Sequence, residues 1–282
     1  MSRIFLRFPS FKEKALTLSY DDGVRQDKKL VSILNKHKIK ATFNINGGLF
    51  NTKRDSETVG RMTEEEALEL YLGTDHEIAN HGFKHLHWSV FNDAAVVNDV
   101  IKDRTHLENM FGRVVKGMAY PNGSANCTEK TVDILKKCGI NYARTTVSTE
   151  RFDIPTDWLR MSSTCHHNNP KLMELAEEFL NGEPKKYFWA NTPKLFYLWG
   201  HSYEFDNNNN WEVIEKFCEF VGGREDVWYA TNGEIYDYVT AYDRLEFSVD
   251  ENYVYNPSAI DVYLSYFNNK IVVPAGKTVK IK

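Results

Sequence analysis

Two adjacent carboxylates stand at the end of a strand-like segment. Residues 15–20 are mostly apolar or β-favouring and lead directly into Asp21, Asp22 and Gly23, a pattern that predicts a strand ending in a turn. Neighbouring aspartates in a pocket repel each other unless a cation or hydrogen-bond donors compensate their charges. A solvated Asp-Asp-Gly turn would use the same residue types, so a functional role needs support from elsewhere in the chain.

Two histidines four residues apart give that support. His81 and His85 follow a predicted strand at residues 76–80. If the segment is helical there, both imidazoles lie on one face, a spacing that suits two ligands of one metal ion. One carboxylate and two imidazoles leave the fourth position of a tetrahedral zinc to water, as in catalytic sites. The other aspartate could accept a proton from that water. His87 is an alternative ligand.

Two further strand ends carry candidate groups. Residues 114–119 run into a Pro-Asn-Gly turn around Asn122. A backbone N–H of this turn could stabilise an oxyanion, although a tight turn alone would also explain these residue types. Residues 195–200 form an apolar strand that ends at His201. There a histidine could protonate a leaving amine, and a buried structural histidine is the alternative.

Helices and strands alternate along most of the chain. About seven such βα units predict a parallel sheet with crossover helices, and a closed or nearly closed barrel is favoured over a doubly wound open sheet. Functional groups should gather at the C-terminal ends of its strands. The predicted strands lie at residues 15–20, 40–45, 76–80, 114–119, 141–145, 194–200 and 226–230, and the helices at 27–37, 63–71, 93–110, 128–138, 170–180, 211–221 and 232–241.

The pattern of predicted secondary structure changes at about residue 243. Short strands at residues 245–249, 259–264 and 270–273, separated by turn residues, predict a small antiparallel β appendage over residues 243–282. The main domain then occupies residues 1–242, and we expect the appendage to cover one end of it.

Composition excludes several function classes. The net charge of -4 does not suit a nucleic-acid-binding protein, which usually carries a basic surface. No segment contains an apolar run close to the roughly 20 residues that a transmembrane helix needs. The N-terminal segment is a poor signal peptide, which predicts a cytoplasmic protein unless a leader was removed. The four cysteines lack CxxC spacing, so we expect reduced thiols and no thiolate zinc site. The sequence carries no signal for the oligomeric state.

Four short motifs resemble, in order, those of the polysaccharide deacetylase family, the carbohydrate esterases that remove acetyl groups from chitin-like and peptidoglycan sugars. They are Ser-Tyr-Asp-Asp-Gly at 19–23, His-Gly-Phe-Lys-His at 81–85, Ala-Tyr-Pro-Asn-Gly at 119–123 and Leu-Trp-Gly-His at 198–201. The resemblance extends over about residues 13–240. It implies a distorted (β/α) barrel and a metal, usually zinc, with cobalt or nickel as alternatives.

Carried over residue by residue, the resemblance implies roles for five side chains. Asp21 corresponds to the general base and His201 to the general acid. Asp22, His81 and His85 correspond to the metal ligands.

The third motif departs from the family pattern. Ala119 stands where the family has an arginine that orients the catalytic aspartate, and Asn122 stands where a tyrosine is usual. The backbone N–H of Asn122 could still act as the oxyanion donor. Arg144 could supply the missing charge from a neighbouring strand, and Arg160 is a second candidate.

The fourth family motif has only an imperfect match in this chain, with a longer spacing between its two aspartates. We call this match, at residues 153–158, the echo of the fourth motif. The histidines of Cys165-His166-His167 have no family counterpart, and we interpret them as a substrate-side loop or as structure.

The sequence therefore predicts a metal-dependent hydrolase that removes N-acetyl groups from an amino-sugar-containing oligo- or polysaccharide. An O-acetyl esterase or a small-amide hydrolase with the same site is the close alternative. An inactive carbohydrate-binding barrel is the alternative from another class, and it is motivated by Ala119 and Asn122.

Overall fold

A computed structural model describes residues 4–52, 60–182, 192–267 and 269–281. The α-helices of this part of the chain are α1 Asp27–Lys36, α2 Glu64–Tyr71, α3 Asp93–Phe111, α4 Glu129–Lys137, α5 Leu172–Asn181, α6 Tyr203–Asn207, α7 Glu212–Val221 and α8 Asn232–Asp243. Short 3-10 helices occupy Pro9–Phe11, Gly47–Leu49, Trp88–Val90, Gly123–Asn126 and Trp158–Arg160.

The strands fall into one large parallel sheet and two small antiparallel ones. They are β1 Ile4–Arg7, β2 Lys14–Asp21, β3 Thr42–Ile45, β4 Glu77–Asn80, β5 Gly117–Ala119, β6 Tyr142–Ser148, β7 Met161–Ser163, β8 Cys165–His166, β9 Lys194–Gly200, β10 Val227–Tyr229, β11 Glu246–Phe247, β12 Tyr253–Tyr255, β13 Val262–Tyr266, β14 Asn269–Val273 and β15 Thr278–Lys280.

The parallel strands form a closed ring. Strands β2 to β6 are neighbours in chain order, β6 pairs with β7, β8 pairs with β9, and β9 pairs with β2. Only Thr164 separates β7 from β8, and its N–H donates to the carbonyl of Tyr197 on β9 at 2.8 Å. These two short strands therefore act as one and complete the ring. The prediction of a distorted (β/α) barrel is confirmed.

Two details of the ring differ from the expected alternation. The closing strand lies within residues 150–170, which the sequence pattern leaves without a strand. The predicted strand at residues 226–230 exists as β10, but it pairs only with the first residues of β2, beside the ring. The ring keeps seven members because β7 and β8 take the place expected for β10.

Local sequence explains where the covering helices begin. The side chain of Thr63 accepts from Glu66 N at 3.0 Å and the Glu66 carboxylate accepts from Thr63 N at 2.9 Å, which makes a capping box at the start of α2. Thr231 and Glu234 repeat this arrangement at α8. Among the described helices, none has both the length and the apolar character needed to cross a membrane.

The C-terminal strands form two three-stranded antiparallel sheets, β1-β13-β14 and β11-β12-β15. The sequence did not predict that β1, from the other end of the chain, belongs to one of them. Leu6 and Phe8 pack with Ala15 and Leu195 at the starts of β2 and β9, and the N–H of Tyr263 donates to the hydroxyl of Tyr238 on α8 at 2.9 Å. This side of the appendage therefore packs at the end of the ring opposite to the C-terminal strand ends.

Candidate active site

The turn after β2 directs two carboxylates into the mouth of the ring. Asp22 and Gly23 both have positive φ, at 87° and 64°. A Cβ on Gly23 would lie 2.9 Å from Ile45 Cγ2, so this position needs glycine. Asp21 and Asp22 are only 3% and 1% exposed. This burial contradicts the alternative of a solvated turn.

Asp21 is held as a carboxylate by donors on both oxygens. Its Oδ1 accepts from Asn44 Nδ2 at 2.8 Å, and its Oδ2 accepts a short hydrogen bond from Arg144 Nη2. Burial by itself would raise the pKa of Asp21. The charge of Arg144 is the main opposing effect, and the pKa of Asp21 lies below its usual value.

Arg144 supplies the charge that Ala119 cannot. Ala119 and Arg144 are register partners on the neighbouring strands β5 and β6. The arginine therefore reaches Asp21 from the strand next to the one that carries Ala119. Arg144 is fully buried and its guanidinium lies 4.4 Å from the ring centroid of Trp199. Arg160 instead forms ion pairs with Asp157 and Glu129, both at 2.7 Å.

Asp22, His81 and His85 converge on one point. The Nε2 atoms of both histidines lie 3.9 Å from Asp22 Oδ1, and one ligand atom from each of the three residues lies within 4.8 Å of the others. The histidine segment is a turn rather than the helix considered from the sequence, with positive φ at Gly82 and His85. The convergence of the imidazoles therefore comes from the turn and not from helical spacing.

His81 presents an unprotonated nitrogen to this point. The Nδ1–H of His81 donates to the carbonyl of Ala119 at 2.8 Å, which leaves the lone pair on Nε2. This Nε2 is buried, and within the described parts of the chain it has no hydrogen-bond partner. Burial lowers the pKa of His81, and burial followed by the neighbouring His81 lowers that of His85 to about 4. Two neutral imidazoles beside a carboxylate fit a divalent cation.

The alternative ligand does not join the cluster. His87 is exposed, and its Nδ1 lies 2.7 Å from Ser89 Oγ.

Buried polar groups that the sequence did not single out hold the histidine turn. Asp103 on α3 accepts from the backbone N–H of His81 at 2.9 Å. The amide of Asn46 donates to the carbonyls of His81 and Gly82 at 2.6 and 2.8 Å. These contacts fix the backbone that carries the first histidine.

Arg61 is a second unforeseen component, and it contacts the candidate ligand Asp22. Its Nη2 lies 3.0 Å from Asp22 Oδ1, and its Nη1 donates to the Asp22 carbonyl and, at 3.1 Å, to Asn46 Oδ1. Burial would raise the pKa of Asp22, but the charge of Arg61 is the main opposing effect, and the pKa lies far below the usual value. The Asp22 carboxylate is therefore ionised and already has one cationic neighbour.

His201 follows β9 and lies close to Asp21. Its Nε2 lies 3.9 Å from Asp21 Oδ2, and its Nδ1 lies 3.2 Å from Glu204 Oε1. Burial would lower the pKa of His201, but the hydrogen bond to Glu204 and the nearby aspartates raise it above its usual value. Protonated His201 is thus stabilised next to the carboxylate of Asp21.

Glu204 was not singled out from the sequence. Its position three residues after His201, at the start of a helix, is the sequence feature that could have identified it as a partner of that histidine.

The aspartates of the echo at residues 153–158 do not take the role of Glu204. Asp157 accepts from the Leu159 N–H at 3.1 Å and caps a 3-10 helix.

Asn122 is exposed and lies next to the histidine turn. Its backbone is left-handed, with φ 55°, and its Nδ2 donates to the Leu86 carbonyl at 3.2 Å. The expected oxyanion donor, the backbone N–H of Asn122, is therefore on a turn tied to the segment that carries His85.

One family model matches the N-terminal half of the chain. The family model of polysaccharide deacetylases matches residues 9–143, which include the first three motifs but not His201. No curated protein matches the chain.

Two solved structures illustrate the likeness of fold. A proposed polysaccharide deacetylase from Mycobacterium smegmatis is 17% identical, covers 84% of this chain and 94% of its own, and has a TM-score of 0.59. The Xyl-CE4 domain of a multidomain xylanase from the hindgut metagenome of Trinervitermes trinervoides is 14% identical, covers 81% and 92%, and has a TM-score of 0.50. At these identities the likeness concerns the fold alone.

Proposed function

We propose that the chain, whose residues 9–143 match the family model of polysaccharide deacetylases, is a zinc-dependent hydrolase that removes N-acetyl groups from an amino-sugar-containing oligo- or polysaccharide. One observation carries the proposal. Asp21 Oδ2 lies 3.9 Å from the Nε2 atoms of both His81 and His201, so an ionised carboxylate is within contact distance of a candidate metal ligand and a candidate acid.

Asp22, His81 and His85 would hold the zinc ion, with cobalt or nickel as alternatives. When bound, such an ion supplies Lewis-acid chemistry, because it polarises an acyl carbonyl and lowers the pKa of water. The donor set supports this assignment, because a carboxylate and two imidazoles leave a coordination position open.

The remaining residues move protons and position groups. Asp21, oriented by Arg144 and Asn44, accepts a proton from the attacking water as a C–O bond forms to the acetyl carbon. The N–H of Asn122 donates to the carbonyl oxygen as it gains negative charge. His201 then donates its proton to the sugar nitrogen as the C–N bond breaks. The products are acetate and a free amine.

Acetate release from a chitooligosaccharide tests the proposal directly. The protein is purified without chelator and its metal content is measured on the same sample. Release from N-acetylated but not from O-acetylated sugars is expected. The reverse preference would make the chain an O-acetyl esterase. Sugar binding without acetate release in the presence of zinc, cobalt and nickel would contradict hydrolysis and favour a carbohydrate-binding role.

Glu204→Gln should shift the alkaline limb of the pH profile of kcat to lower pH. The acid form of His201 is present below its pKa and is lost as pH rises through it. The Glu204 carboxylate helps to raise this pKa above its usual value of about 6.5, so the amide should allow it to fall. The measurement is kcat against pH for wild type and variant.

A merely structural role of Glu204 would lower kcat equally at every pH and leave the limb in place. Glu212→Gln, which changes an acid in the first turn of α7, is the matched control.

Arg61→Met should destabilise the metal-free protein by about 3–5 kcal/mol, the usual cost of removing one partner of a buried ion pair. Zinc should restore more stability to the variant than to wild type, because the ion takes over part of the compensation of the Asp22 charge. The measurement is the free energy of unfolding in urea, with chelator and with zinc.

Arg25→Met is the control, because the Arg25 side chain is 57% exposed and its loss should change stability little. Equal stability of Arg61→Met and wild type in chelator would contradict the importance of the Arg61–Asp22 pair.

A further inference from the structure

A second group of histidines lies behind His201, on the side away from Asp21. His166 on β8 and Glu204 on α6 meet His201 there. The Nε2 of His166 is 3.2 Å from Glu204 Oε2, and the Nδ1 of His201 is 3.2 Å from Glu204 Oε1. One ligand atom from each of the three residues lies within 4.8 Å of the others. Holding His201 in place would require only one of these two contacts.

A third imidazole faces the same carboxylate, whose Oε2 also accepts from Asn168 Nδ2 at 3.1 Å. His167 lies between the rings of Tyr20 and Phe205, at centroid distances of 5.8 and 4.2 Å, and packs against Gly200, where a Cβ would collide with its ring. Its Nε2 is 2.9 Å from Glu204 Oε2, yet within the described residues this buried nitrogen makes no hydrogen bond of acceptable geometry. His167 therefore points a fixed nitrogen at the cluster.

We propose that His166 Nε2, His201 Nδ1 and the Glu204 carboxylate form a second site for a divalent cation such as zinc, separate from Asp22, His81 and His85. Two imidazoles and one carboxylate are a donor set that zinc uses in proteins. The Nδ1 of His166 accepts from the N–H of Asn168 at 3.1 Å, so an ion on Nε2 must displace the proton from that nitrogen and break this hydrogen bond. The side chains of the three residues are 20–23% exposed, so an ion can enter from solvent and water can complete its coordination.

Occupation of this site would interfere with the reaction, a consequence that rests on the proposed function. A cation on His201 Nδ1 takes the position of the Nδ1 proton, which is released to solvent. The ring then keeps one proton, on Nε2, and losing it would produce an imidazolate. Such a ring is a far weaker acid than an imidazolium, so the amine would leave unprotonated. Zinc should therefore activate at low concentration and inhibit in excess.

Metal counting tests the site without reference to turnover. Chelator-stripped protein is dialysed against a series of zinc concentrations, and bound zinc per chain is measured. Wild type should bind two ions, one tightly and one weakly. His166→Gln should retain the tight ion and bind the second at least about 10-fold more weakly, and Asp22→Ala should lose the tight ion and retain the weak one. His106→Gln, which changes a histidine paired with Glu64 outside the cluster, should behave as wild type.

Two further measurements test the second site independently of zinc counting. Cobalt titration should show a second step in the visible spectrum of wild type that is missing in His166→Gln. Anomalous scattering from zinc-soaked wild-type crystals should locate the second ion between β8 and α6, which requires no variant. Saturation at one ion per chain up to millimolar zinc, or an unchanged second step in His166→Gln, would overturn the proposal. Because these counts do not depend on acetate release, failure of the proposed hydrolase function would be recognised separately.

Discussion

Asp21→Asn lowers kcat for acetate release by roughly two to four orders of magnitude, the usual contribution of a positioned proton acceptor, while zinc content stays at the wild-type level. The asparagine keeps an oxygen that can accept from Arg144 and has nearly the same shape, but it cannot take a proton from water. The measurement is steady-state acetate release on samples of known metal content, together with thermal unfolding to confirm the fold.

Asp153→Asn is the matched control for this substitution. Asp153 is an exposed acid whose Oδ2 pairs with Arg151 at 2.6 Å, and it belongs to the echo of the fourth family motif. Its replacement should leave kcat within about twofold, as is usual for surface changes. Undiminished turnover in Asp21→Asn would remove Asp21 from the mechanism. A large loss in Asp153→Asn would transfer the role to the echo.

His81→Gln is expected to abolish tight zinc binding and, with it, activity at limiting zinc. Losing an outer partner of a metal ligand commonly weakens affinity by roughly 10- to 100-fold, and losing the ligand itself should cost more than that range. Glutamine retains the polar bulk of the side chain but offers no imidazole nitrogen at the position of Nε2. The measurement is zinc retained after dialysis against a graded chelator buffer, followed by acetate release on the same samples.

The control for His81→Gln is His87→Gln, because His87 is the nearby histidine that the sequence left open as a ligand. That variant should retain its zinc. Loss of zinc from His87→Gln together with retention in His81→Gln would exchange the two assignments.

The candidate site could be anticipated where its residues follow strands. Asp21, His81 and His201 each come directly after a run of strand-forming residues, and the C-terminal ends of parallel strands meet at one end of a barrel. The compensation of Ala119 by Arg144 was also predictable, because the two belong to strands that are consecutive in sequence. Those predictions depend on local pattern and strand order alone.

Other components could not be read from the sequence, for physical reasons. Arg61 lies outside the regular strands and is 39 residues from its partner Asp22, so no local pattern connects them. The closing strand of the ring contains Ser162, Ser163 and Thr164, which lack the apolar character that marks a buried strand. Strand β1 finds its partner near the other end of the chain. Such pairings are set by tertiary packing and not by local propensity.

The pairing of β2 with β9 has a consequence for the order of events during synthesis. Thr17 is opposite Tyr197, 180 residues further along the chain. At translation rates of about 5–20 residues per second, the aspartate-bearing strand waits roughly 10 to 40 s for that neighbour to be made. During this interval one edge of an apolar strand is uncovered, so nascent chains that pause before β9 should be the species that chaperones engage.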